Sequence, residues 1–177
     1  MKFKPCPIPA DLAIHSQFRR IDYQDCYSRT VASETPPSVD LLARLFFSDA
    51  MPKWIQWLLS VRERIIARTG RAGDDWSRAV PGDPNPVAIG DRIGPWKVVD
   101  RTATEIVFRE DEGHLDFAFS LRVRPDVATF SVEATTLVEF HGWPGRIYFL
   151  PVKPFHRRIV PVHMDSVLEK AMRIFAV

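Results

Sequence analysis

At 177 residues, with 46% apolar and 26% charged side chains, the chain fits a single domain able to bury a sizeable core. A formal net charge of +2 excludes the strong overall field that would recruit nucleic acid, and no apolar run reaches the roughly 18 residues that span a bilayer. Two cysteines, Cys6 and Cys26, are too few for the disulfide framework of a small secreted domain, so a cytoplasmic chain with reduced thiols is expected.

The opening Met1-Lys2-Phe3-Lys4-Pro5-Cys6-Pro7 has no uninterrupted apolar h-region, so a signal peptide is not expected. Residues 1–22 are proline-rich at first, lack periodicity and read as an arm laid over the surface. From Tyr23 to Val31 the residues alternate, with Tyr23, Asp25, Tyr27, Arg29 and Val31 on one face and Cys26 and Thr30 on the other. This is a first strand, polar on both sides. Ser33-Glu34-Thr35-Pro36-Pro37 breaks it, after which Ser38 or Asp40 can cap a short helix carrying Leu41, Leu42, Leu45 and Phe46. Pro52 opens a second helix, where Ile55, Leu58, Leu59, Ile65 and Ile66 keep helical spacing up to Gly70. Residues 70–95 form a long Gly/Pro loop with Trp76 as its large apolar anchor and a short edge strand expected between Val87 and Ile93.

From Trp96 the period becomes two. Trp96, Val98, Ile106 and Phe108 share a pattern, and Glu110-Asp111-Glu112-Gly113 turns the chain. Leu115, Phe117, Phe119, Leu121 and Val123 then face one way, with His114, Asp116, Ser120 and Arg122 opposite. After Pro125-Asp126, a strand presents Phe130, Val132, Ala134, Val138 and Phe140, with the polar Thr136 among them. A one-sided antiparallel meander of this kind needs a cover. The cover available is the terminal segment beyond Trp143, where Met164, Val167, Leu168, Ala171 and Phe175 keep helical spacing. Pro151, Pro154 and Pro161 predict a kinked helix, or two pieces with the second starting near Pro161.

The order of strand, two short helices, loop, meander and long terminal helix resembles the helix-grip fold of steroidogenic-acute-regulatory-type lipid transfer domains, birch-pollen-type allergens and polyketide cyclases. That resemblance implies one α+β domain over residues 1–177: a curved antiparallel sheet wrapped around a long kinked C-terminal helix, with an apolar cavity between them. Other stretches are similar to an uncharacterised bacterial family, domain of unknown function 2867. They are Ile21-Asp22-Tyr23-Gln24-Asp25, Pro52-Lys53-Trp54, Ile89-Gly90-Asp91-Arg92-Ile93-Gly94-Pro95-Trp96, Asp111-Glu112-Gly113-His114-Leu115-Asp116-Phe117 and Val152-Lys153-Pro154-Phe155-His156-Arg157-Arg158-Ile159-Val160-Pro161. Similar domains occur fused behind short-chain-dehydrogenase-like domains. This chain has no Gly-x-Gly-x-x-Gly, so no dinucleotide site or other cofactor is implied.

Trp96, Phe108, Phe117, Phe119, Phe130, Thr136 and Phe140 are the candidate lining of such a cavity from the sheet, with Tyr148, Val152 and Phe155 from the helix. His156-Arg157-Arg158, with Lys153 and Arg146, is suited to a carboxylate or phosphate head group. His114, Asp116, Glu139 and His141 have the chemistry of a divalent-metal site but lie on the polar sheet face, where a solvated surface is the simpler reading and no metal is expected. Asp25, Asp100, Asp116 and Thr136 are the polar residues able to line a cavity. The leading reading is a module binding a small apolar or amphipathic molecule, with no nucleic-acid partner and at most weak, peripheral membrane contact. A second is a cyclase- or hydrolase-type enzyme using a cavity-mouth Asp or His under a 70–95 lid. A third is an interaction module or homodimer using the outer sheet face.

Overall fold

A computed structural model of the chain describes residues 2–47, 86–93 and 96–175. The helix expected from Pro52 to Gly70, together with Trp76 and residues 70–85 of the loop, lies outside these residues. The strands are β1 (Lys4–Pro5), β2 (Tyr23–Val31), β3 (Arg92–Ile93), β4 (Trp96–Arg101), β5 (Glu105–Asp111), β6 (Leu115–Pro125) and β7 (Phe130–Phe140). A short helix α1 (Val39–Phe46) follows β2, and a 33-residue helix α2 (Trp143–Phe175) ends the described residues. Alternation from Trp96 onward accounts for the meander β4 to β7, each strand antiparallel to the next.

The sheet order is β1-β2-β7-β6-β5-β4-β3, so the first long strand joins the last. That pairing sets Asp25 opposite Thr136 and Cys26 opposite Thr135. Capping follows the expected chemistry: Ser38 Oγ accepts the Leu41 N–H at 3.2 Å, and Val39, Leu42 and Leu45 turn into the core.

The terminal helix corrects the two-piece alternative. It runs unbroken through Pro151, Pro154 and Pro161. Pro151 and Pro154 are exposed, so water can reach the carbonyls that their missing N–H groups leave unpaired, and packing against the sheet holds the helix in line. Buried Gly145, Phe149, Val160, His163, Met164, Val167, Leu168 and Ala171 form the sheet-facing stripe. Gly145 has to be glycine, because a Cβ there would run into the backbone carbonyl of His114.

Two apolar clusters share the helix side of the sheet. The larger joins Leu42 and Leu45 of α1 to Ile106, Phe108, Phe119, Leu121, Phe130 and Val132, and to Val160, Met164 and Leu168 of α2. The smaller joins Tyr23, Leu115, Val138 and Phe149, with Val152 packed on its rim.

The opposite sheet face is not simply wet. Leu12 and Ile14 of the arm cover Val107, Ala118 and Leu137, and all five are buried. Glu105, also buried, accepts Ser120 Oγ at 2.6 Å and the Ala13 N–H at 3.1 Å. Arg122 holds Asp11 through two contacts of 3.0 and 2.7 Å, and that hydrogen bond takes the Asp11 carboxyl down to about 2. The arm is therefore a packed layer tied by ion pair and backbone.

Candidate functional site

Between the two apolar clusters the sheet–helix interface turns polar. Strand periodicity puts Tyr23, Asp25 and Tyr27 on the helix side of β2, and antiparallel pairing brings Thr136 of β7 beside Asp25. From α2, His156 falls between Val152 and Val160 on the sheet-facing stripe. Its Nε2 lies 3.1 Å from Thr136 Oγ1 and 3.4 Å from Asp25 Oδ1. The Tyr23 hydroxyl donates a hydrogen bond to Asp25 Oδ2. The Tyr27 hydroxyl is 3.5 Å from that same oxygen and 3.4 Å from the Arg157 carbonyl.

Burial alone would raise the Asp25 carboxyl, yet His156, Tyr23 and Thr136 outweigh it and hold the group below the usual carboxylate value. Burial and the Asp25 charge push the Tyr23 hydroxyl up, and the same two causes take Tyr27 up to about 12. At neutral pH both tyrosines are thus protonated donors around a carboxylate. Thr136 is fully buried, and the His156 and Asp25 side chains each keep about 11% exposure. The Nδ1 of His156 has no partner among the described residues. An imidazole held at Nε2 and open at Nδ1 can accept a proton or a hydrogen bond there.

The aromatic neighbours divide into sealed and open. Phe108, Phe119 and Phe130 are at most 3% exposed, and Phe46 and Phe47 cover the first two: Phe46 stacks on Phe119 at 4.7 Å and Phe47 meets Phe108 at 5.1 Å between ring centroids. Trp96 and Phe117 are only half-buried. Their rings are 4.8 Å apart, and Phe117 stands edge-on to His156 at 5.9 Å. Phe140 packs on Phe149 at 5.3 Å, and Tyr148 on His114 at 4.6 Å. Phe155 is 50% exposed. Arg157 and Lys153 lie over the Tyr23 ring, 5.9 and 5.5 Å from its centroid. Of the residues singled out from sequence, Trp96, Phe117, Thr136, His156 and Arg157 thus gather with Asp25, whereas Phe108, Phe119 and Phe130 pack as core and Phe155 stays outside. Tyr23 and Tyr27 were missed as site residues, although their shared face with Asp25 was legible.

On the outer face, Arg109 grips Asp116 through two nitrogens, with Nε 3.0 and 3.2 Å from the two carboxylate oxygens. A groove of about 500 Å³ lies there, lined by Phe18, Arg19, Arg109, Asp116, Glu139 and His141. His114 lies apart, its ring against Tyr148 and its Nδ1 3.1 Å from the Glu112 carbonyl. Among the described residues, no three His, Cys, Asp or Glu side chains gather as metal ligands, and no helix is long and apolar enough to cross a membrane.

Residues 17–163 match the family described as "Protein of unknown function (DUF2867)". The chain belongs to this family. The match runs from the end of the arm to His163 and so takes in every residue of the polar cluster. The α+β architecture, an antiparallel sheet against a long C-terminal helix, is the one expected from the sequence. Neither the curated proteins nor the solved structures give a significant match to the chain.

Proposed function

We propose that the chain binds a small amphipathic molecule between sheet and terminal helix. Its polar end meets His156, Asp25 and Thr136, and its apolar body lies along Trp96 and Phe117. The observation that carries this reading is the open Nδ1 of His156 beside two half-buried aromatics, Trp96 and Phe117, where the neighbouring Phe108, Phe119 and Phe130 are sealed. A polar layer inside an apolar interface is costly to desolvate, and a ligand group at Nδ1 would complete its hydrogen bonding. Lys153 and Arg157, one helical turn apart, supply positive charge for an anionic head group beside it.

Native mass spectrometry of protein purified from its own host tests the reading. An adduct in the unmodified chain that falls at least tenfold in both His156→Ala and Phe117→Ala supports it. An adduct indifferent to both substitutions, or none in any preparation, overturns it.

A second reading makes the same residues an acid–base pair of a cyclase- or hydrolase-type enzyme. Its support is the ionised Asp25 beside Nε2, which favours a proton on that nitrogen and leaves Nδ1 as the base. His156→Gln separates the two readings, since turnover of a bound molecule would stop while binding persists.

A further inference from the structure

Cys6 follows β1, and Cys26 lies within β2. Their sulfurs are 2.8 Å apart, with Cys6 donating its backbone N–H to the Cys26 carbonyl at 3.0 Å. The β1–β2 register runs Lys4 to Ser28 and Pro5 to Tyr27, so Cys6 continues it directly opposite Cys26. Residues facing each other across an antiparallel ladder have Cα atoms about 5.5 Å apart, within the range a disulfide spans. Both thiols are free.

We propose that Cys6 and Cys26 are a reversible oxidation site that closes to an intramolecular disulfide with hydrogen peroxide as oxidant.

The two sulfurs differ in access. Cys6 is partly exposed, whereas Cys26 is buried and accepts a hydrogen bond from Thr135 Oγ1 at 3.3 Å. Burial and the neighbouring Cys6 sulfur push the Cys26 thiol up, so Cys6 is the residue that meets the oxidant. Its thiolate attacks one peroxide oxygen and the O–O bond breaks. The released hydroxide takes up a proton as water, leaving Cys6 as a sulfenic acid. The Cys26 sulfur then attacks the Cys6 sulfur. The S–S bond forms, the S–O bond breaks, and hydroxide departs with the Cys26 proton as a second water. Two thiols have lost two electrons and two protons, and the peroxide has become two waters. A dithiol reductant reverses the bond by exchange.

The bond would fasten the arm to the strand that carries Asp25. That arm already places Phe3 in the main core and its N–H on Asp165 of α2 at 3.1 Å, so both ends of the linkage are pre-positioned.

The test treats the reduced full chain with hydrogen peroxide, then alkylates with N-ethylmaleimide in denaturant and measures intact mass. The expected product is lighter by two hydrogens, carries no maleimide, yields a cross-linked peptide containing Cys6 and Cys26, and returns to two free thiols with dithiothreitol. In Cys26→Ser, dimedone should trap a sulfenic acid at Cys6 that the unmodified chain does not accumulate. Two maleimide adducts after peroxide, oxygen-added Cys6 without a cross-link, or equal dimedone labelling of both proteins would each overturn the proposal.

Discussion

The Tyr27 hydroxyl lies 3.4 Å from the carbonyl of Arg157, the acceptor that Pro161, four residues on, leaves without its helical N–H donor. A side chain of the sheet thus supplies what the helix gave up, next to the polar cluster. Tyr27→Phe should therefore cost roughly 0.5–1.5 kcal/mol, the net worth of one ordinary hydrogen bond. Restoring the donor with Pro161→Ala should shrink that cost. Urea unfolding of the two single variants and the double variant measures the coupling, and strictly additive costs would refute the link.

Asp25 adds a pH dependence of definite sign. Its folded pKa is depressed, so its contribution is present above the ordinary carboxylate value and fades as pH falls through the lower folded one. Asp25→Asn should lose roughly 1–3 kcal/mol near neutrality and show a flatter stability profile below pH 4 than the unmodified chain. Chemical denaturation from pH 3 to 7 reads both effects.

His163 acts at higher pH. It is buried between α1 and α2, its Nε2 2.7 Å from the Phe46 carbonyl, and burial takes its pKa down to about 4. The unfolded chain binds this proton near pH 6.5 and the folded chain does not, so stability is whole above about 6.5 and declines toward 4. The loss reaches about 3 kcal/mol from a shift of this size. His163→Gln keeps a donor for Phe46 and should abolish the decline over that window.

Packing predictions separate core from site. Phe130 is fully buried, so Phe130→Ala should cost about 3–5 kcal/mol, and Phe130→Trp about 1–3 kcal/mol through overpacking. Phe117→Ala, at a half-buried position, should cost less stability than Phe130→Ala while removing more binding. Thermal melts beside adduct measurements decide whether the two effects separate.

Gly145→Ala should destabilise by about 1–3 kcal/mol, because the new methyl meets the His114 backbone carbonyl rather than a side chain able to swing aside. Loss of near-ultraviolet dichroism from nearby Trp143 and Tyr148 reports the displaced helix start.

The sheet was legible because its strands keep a period of two from Trp96 to Phe140, broken within a strand by the irregularity between Val98 and Asp100, and β2 was bounded by Tyr23 and by the prolines after Val31. The arm's packing was harder to see. Its signal was the apolar trio Val107, Ala118 and Leu137 on a face otherwise polar, answered by Leu12 and Ile14, which lack periodicity of their own. Thr136 stood out as a polar residue on an apolar face, and Asp25 as one able to line a cavity. Their meeting with His156 was not legible, because it depends on β2 closing onto β7 across more than a hundred residues. The sealing of Phe108 and Phe119 depends likewise on where α1 folds back.

The terminal helix also differs along its length in how firmly it is held. Before His156 only Gly145 and Phe149 are buried, Trp143, Ile147 and Leu150 lie 58–72% exposed, and Pro151 and Pro154 each subtract a backbone hydrogen bond. After Pro161 it is packed by Met164, Val167, Leu168 and Ala171, all fully buried. Backbone amides around residues 147–155 should therefore exchange with solvent through local opening while those around 164–171 wait for global unfolding. The hinge between these regimes falls at His156, so the half that breathes is the half that bounds the polar cluster on one side.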